Sequence, residues 1–77
     1  MIEVTIGTNT KRTKVVLDPT TTIRSALEQE HIDYSVGAIH LDGVSLAGGD
    51  FDKTFSDFNI KEKCYLIAVV KADGGVF

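Results

Sequence analysis

Apolar and polar residues alternate at the start of the chain. In "IEVTI", Ile2, Val4 and Ile6 fall on one side and Glu3 and Thr5 on the other, the period of a strand with one buried face. "GTNTKRT" breaks the alternation, and Gly7 and Asn9 tolerate the positive φ of a turn. "KVVL" resumes as the returning strand of a hairpin. Asp18-Pro19 stops it, because proline has no N–H to give to a central ladder. The spacing then changes. In "TTTIRSALEQEHI", Ile23, Ala26 and Leu27 stand at i, i+3 and i+4, which predicts a short helix with one narrow apolar stripe. Thr21 or Thr22 offers a hydroxyl to cap its first turn, and Glu28, Gln29 and Glu30 face water. A helix this short does not hold alone in water and must lie on a sheet.

The second half returns to strand periods. "AIHLDGVSL" is strand, Asp-Gly turn and short strand. "AGGDFDKTFSDFNIKEK" reads as loop with a single helical turn around Phe55 to Phe58. "CYLIAVV" is apolar on both faces, which predicts a strand in the middle of the sheet. This last strand is expected to insert next to the first, giving a mixed sheet crossed by one helix. If Leu66, Ala68 and Val70 face the core, then Tyr65, Ile67 and Val69 face outward. The same parity turns Ile39 and Leu41 inward and Ala38 and His40 outward. Ile67, Val69, His40 and Val44 are therefore expected together on the open face. An exposed apolar patch with a polar rim indicates an interface. The competing explanation is that a central strand is apolar because it is central, covered by a loop or a second copy.

Length and charge narrow the function. Seventy-seven residues make one small domain, with little spare core to enclose an active-site cavity. The net charge of −3 argues against nucleic acid and anionic membranes as partners, and the densest basic cluster is Lys11-Arg12 with Lys14. The apolar run from Tyr65 to Val70 is far too short to span a bilayer. "MIEVTIG" lacks the features of a secretory signal. One cysteine, Cys64, forms no internal disulfide, which points to reducing cytosol.

Candidate chemistry is sparse. Cys64 has no neighbouring histidine or cation to lower its pKa, and reads as a structural residue at a strand edge. His31 and His40 do not have zinc-ligand spacing. Asp50, Asp52 and Asp57 resemble a calcium loop only superficially, since its terminal glutamate is missing. No phosphate-cradling glycine motif and no serine-triad pattern is present. The expectation is a protein that is not an enzyme and has no cofactor or metal of its own.

The order of elements, "LDPTTTI", "LDGVSL" and above all "TFSDFNIKEKCYLIAVVKADGG" resemble the ubiquitin-like β-grasp superfamily, including its sulfur-carrier branch. The resemblance is loose over the whole chain and closest over residues 54 to 75. It implies an α+β β-grasp domain over 1–71, with a four- to five-stranded mixed sheet on one short helix, and a flexible tail over 72–77. The helix region is shorter than in ubiquitin, and the loop "AGGDFDK" is longer. The resemblance also implies a function for Gly74-Gly75. A partner adenylating enzyme, using its own ATP, would activate the Gly75 carboxylate for conjugation or sulfur transfer. Glycine suits a tail threaded through a narrow channel, because it has no Cβ to clash with the walls. Here the chain departs from the pattern: Val76-Phe77 come after Gly75, so a processing protease must first remove them. A "GG" also occurs at Gly48-Gly49, so the dipeptide alone decides little. The alternative is a non-conjugated module that binds a protein receptor through the sheet face, its tail inert.

Overall fold

The structure, a computed structural model, describes residues 1–8, 10–32, 34 and 37–70, and Val70 by its backbone alone. Asn9, Lys71 and the anticipated tail with Gly74 and Gly75 lie outside the described residues, as does the direction of the Val70 side chain. Five strands form one sheet: β1 (Ile2–Thr8), β2 (Arg12–Leu17), β3 (Gly37–Leu41), β4 (Val44–Ser45) and β5 (Lys63–Val70). Their order across the sheet is β2-β1-β5-β3-β4. The two strands β1 and β5 run parallel, and every other pairing is antiparallel. The doubly apolar last strand is thus central and lies beside the first.

Among the described residues one α-helix, α1 (Ile23–Gln29), packs on the sheet. Its start is fixed by Thr22, whose Oγ1 accepts the Ser25 N–H at 3.1 Å and so satisfies a donor that has no partner within the helix. Its end is fixed by His31, which takes a left-handed conformation at φ 59°. The His31 N–H then donates to the Glu28 carbonyl, and the Ile32 N–H reaches back to Leu27 at 2.9 Å. These are the two bonds of a left-handed helix cap. The same device recurs after the 3-10 turn Ser56–Phe58. There Asn59 sits at φ 62° and the Ile60 N–H donates to the Phe55 carbonyl at 3.1 Å. In both places the following isoleucine, Ile32 or Ile60, packs against the rim of the core.

The core lies between α1 and one face of the sheet. Ile2, Val4 and Ile6 of β1 meet Leu66 and Ala68 of β5, Ile39 and Leu41 of β3, and Ile23, Ala26 and Leu27 of α1. Phe55, fully buried, closes the cluster from the segment before β5. That segment is tied back to the start of α1: the Phe55 N–H donates to Thr21 and the Ile23 N–H to Lys53. The stretch expected to be loop carries a further 3-10 turn, Gly48–Asp52. It is linked to α1 by an Arg24–Asp52 ion pair at 3.1 Å. The β3–β4 connection has positive φ at both Asp42 (51°) and Gly43 (85°), the two-residue turn that matches the twist of paired strands. In the β1–β2 hairpin, a Cβ on Gly7 would collide with the Lys11 carbonyl oxygen and lie 2.7 Å from the Arg12 Cα. Only glycine lets the returning chain cross so closely there.

Candidate functional site

Strand pairing decides which side chains are neighbours on the uncovered face, because residues directly opposed across a ladder point the same way. One row runs across all five strands: Arg12, Gly7, Ile67, His40 and Ser45. The next row is Lys14, Thr5 and Tyr65, and the one beyond it is Val16, Glu3 and Lys63. On the other side of the Ile67 row, Val69 is paired with Ala38.

His40, Ile67 and Val69 therefore share the open face, as their parity requires. His40 and Ile67 are direct cross-strand partners, and Val69 is the next outward position on β5. Tyr65 extends the patch on its other side. Tyr65 is 51% exposed and Val69 38%, although β5 is paired on both edges. The His40 imidazole is half-buried, and its Nδ1 has no hydrogen-bond partner among the described residues.

Val44 does not join this group. It is paired with Leu41, whose side chain is buried in the core, so Val44 projects to the helix-side face and Ser45 takes the place beside His40. The reason is the two-residue turn: the residues flanking it oppose each other and must share a face. There Val44 borders an apolar cleft of about 180 Å³ formed with Leu41, Leu46, Phe58 and Ile60.

The remaining candidates have structural roles. Cys64 is buried, and burial, with a smaller contribution from the Asp42 charge, pushes its thiol up to about 12. A thiol so disposed stays protonated and is a poor nucleophile. It lies at the start of the central strand, and its pairing with Val4 turns it into the core. Asp50 accepts the Ala47 N–H at 3.0 Å and pairs with Lys53 at 3.1 Å. Those two contacts, the backbone one first, hold its carboxyl below the usual range. Asp57 and Thr54 cap each other's backbone, the Thr54 N–H donating to Asp57 at 2.9 Å and the Asp57 N–H to the Thr54 hydroxyl at 3.1 Å. The three loop aspartates thus serve caps and two ion pairs, Asp50–Lys53 and Asp52–Arg24. His31 closes α1 while His40 lies on the open face. Among the described residues no three His, Cys, Asp or Glu side chains gather as metal ligands. No described helix is long and apolar enough to cross a membrane. A polar cleft of about 460 Å³ separates the β1–β2 hairpin from the end of α1. Among the described residues its lining holds no thiol and no serine, and none of the anticipated site residues.

Sequence reasoning missed the cations that border the patch. Arg12 and Lys14 occupy outward positions of β2, and Lys63 an outward position of β5. Strand parity was the available signal for the first two. Lys63 joins them only through the parallel β1–β5 pairing.

No protein-family model and no curated protein matches the chain. Among solved structures, it is similar to the ubiquitin-like domain of the Arabidopsis thaliana protein At2g32350, determined by solution NMR. The TM-score is 0.74 at 21% identity, over 99% of this chain and 83% of that one. A second structure of the Arabidopsis thaliana protein, obtained by combining evolutionary couplings with sparse NMR data, gives a TM-score of 0.63 at 25% identity. It spans 95% of this chain and 89% of that one.

Proposed function

We propose that this chain, whose fold is the ubiquitin-like β-grasp, acts as a protein-recognition element read through the outer face of its sheet, at Ile67, Val69 and His40. One observation carries the proposal: a central strand, hydrogen-bonded on both edges, leaves Tyr65 and Val69 open on either side of the Ile67–His40 pair. A contiguous apolar patch of this kind is what a protein partner covers. The chain brings no chemistry of its own to the encounter, and the setting is reducing cytosol, where the Cys64 thiol stays free. The test is site-directed photo-crosslinking in the chain's own cells. A crosslinker in place of Val69 should trap a defined protein partner, and the same group at Glu28 on the helix should not. Equal capture from both positions would remove the face from consideration.

A second use is favoured by the sequence that follows β5. After Lys63–Val70 come Lys71, Ala72 and Asp73 and then Gly74-Gly75. In this second use a protease removes Val76-Phe77. The freed carboxylate attacks ATP in a partner adenylating enzyme and pyrophosphate leaves. A partner's thiol then attacks the acyl carbon of the adenylate and AMP leaves, giving a thioester, or sulfide attacks there instead and AMP leaves a thiocarboxylate. A chain truncated after Gly75 should form an adenylate or thioester with ATP and a cognate adenylating enzyme, and Gly75→Ala should abolish the product. If the truncated chain stays inert across the adenylating enzymes of its own cell, recognition through the sheet face remains as the function.

A further inference from the structure

The sheet ends laterally in β2 on one side and β4 on the other. β4 is Val44–Ser45 alone, too short to pair stably with another chain. β2, Arg12–Leu17, keeps one unbroken register with β1 and contains no proline and no bulge. Hydrogen-bonding direction alternates along a strand. The Glu3 N–H donates to Glu62, toward β5, and the Thr8 N–H to Lys11, toward β2. Val4 and Ile6 therefore bond to Val15 and Thr13. The N–H and C=O of Arg12, Lys14 and Val16 then point away from the sheet. Among the described residues no turn, loop or side chain hydrogen-bonds to those groups. The Val16 side chain beside them is 61% exposed.

An open edge of this kind is a template for a further strand, and the side chains of β2 select which one. Two β2 strands can pair antiparallel about a two-fold axis. An axis at Lys14 sets the two Lys14 cations directly opposite each other, which is unfavourable. An axis at Val16 opposes Lys14 to Asp18, whose carbonyl already accepts the Thr21 N–H at 2.9 Å, and leaves Val16 with Val16 as the one fully bonded pair. An axis at Val15 avoids both faults. Lys14 of each copy exchanges its backbone bonds with Val16 of the other, the two Val15 side chains meet on the axis, and Arg12 of each copy stands opposite Asp18 of the other. Asp18 directly follows the strand and is exposed. Its Oδ1 accepts the Thr20 N–H at 2.9 Å and the Thr20 hydroxyl at 2.8 Å. Arg12 engages only its Nε, at 3.4 Å from the Thr8 carbonyl. Neither residue belongs to an ion pair among the described residues. They lie roughly 20 Å apart along the edge, too far to pair within one chain. Each end of the edge thus carries the charge that the opposite end of a second copy lacks.

We propose that β2 is a self-association edge: two copies pair antiparallel through β2 about an axis at Val15, and two five-stranded sheets become one. Residues opposed across the ladder share a face, so both helices lie on one side of the joint sheet and both open faces on the other. A partner with two contact sites then meets two faces side by side, and the second contact forms at high effective concentration. One strand pair buries less than about 1,200 Å². The dimer is accordingly weak, with a dissociation constant on the order of 100 μM. The pairing stands whatever the open face binds.

The test is sedimentation equilibrium of the intact chain, from well below that concentration to well above it, together with amide spectra of the same series. The mass should rise from one copy to two. The Lys14 and Val16 resonances should move with concentration while Ser45 stays fixed. Arg12→Asp should weaken the dimer about tenfold, and Asp18→Lys likewise. Mixed together, these two variants should dimerise again, because each supplies the charge that the other lacks. Asp18→Lys also removes the acceptor of Thr20, so a second measurement stands apart from it: Val15→Cys should oxidise to a disulfide-linked dimer faster than Lys14→Cys or Val16→Cys. The native Cys64 is buried and does not compete. A chain that remains a single copy throughout would overturn the inference. So would concentration-dependent shifts centred on Ile67 and Val69 or on Ser45, an Arg12→Asp dimer as tight as the wild type, or equal cross-linking at all three cysteine positions.

Discussion

On the side of the sheet that carries α1, Val4 and Ile6 of β1 and Leu66 and Ala68 of β5 are sealed from water. On the other side of the same two strands, Thr5 is half-buried and Tyr65 and Val69 stand open. The backbone is shared, so the contrast comes from what covers each face and from nothing in the hydrogen-bonded ladder. The covered face supplies the area removed from water that holds the fold together. The open face is released from that duty, and its residue choices are free to serve a partner. Substitutions should accordingly separate into those that unfold the chain and those that leave it folded and mute.

The largest effect belongs to the covered side. Phe55→Ala removes a fully buried ring that joins α1 to the approach to β5, and should cost about 3–5 kcal/mol. Chemical denaturation would show it as a shifted midpoint with an unchanged slope. A loss below about 1 kcal/mol would mean that Phe55 is not the keystone its burial suggests. Next comes Gly7→Ala, where the new methyl meets the Lys11 carbonyl. Overpacking there should cost about 1–3 kcal/mol, concentrated in the β1–β2 hairpin and visible as faster amide exchange of β2. Third is the pH dependence contributed by Cys64. Its folded pKa is raised from 9.0 to about 12, so the unfolded chain releases its proton first. The contribution to stability is complete below pH 9 and is lost as pH rises toward 12, at no more than about 1.4 kcal/mol per pH unit. Comparing the wild type with Cys64→Ala from about pH 8 upward should show the wild type losing stability more steeply; parallel curves would remove the effect. The smallest effect on stability is on the open side. Val69→Ser should change the unfolding free energy by about 0.5 kcal/mol or less, while a crosslinker at a neighbouring outward position loses its partner.

Much of this division is visible in the alternation of "IEVTI" and "CYLIAVV", because a strand with one buried face must repeat every second residue. The helix start is equally readable, since a hydroxyl before an apolar-periodic run has one local use. The exact closing of α1 is not: His31 adopts the left-handed conformation that glycine more often supplies. Val44 falls on the opposite face from the expected one for a definite reason. Outward parity carries across the Asp42-Gly43 turn only if the chain continues straight, whereas a two-residue turn mirrors the parity of the strand before it. Lys63 cannot be grouped with Arg12 and Lys14 at all without knowing which strand lies beside β1 and in what register, and that pairing is a property of the whole sheet. The Gly48–Asp52 turn has no signal in the sequence because its stabilising partner, Asp50 to the Ala47 N–H, is a cap contact with no apolar period to announce it.

The parallel union of β1 with β5 has a consequence for how the molecule comes into being. Glu3 is registered with Lys63, so the strand synthesised first waits for one made roughly sixty residues later, and closing so long a loop is slow. During translation β1 can find β2 within moments, but the centre of the sheet stays vacant until the β5 segment has emerged. For the same reason, a cut in the 46–53 segment should yield two fragments that are each unable to fold and that regain structure when mixed, the late strand sliding between the two early ones.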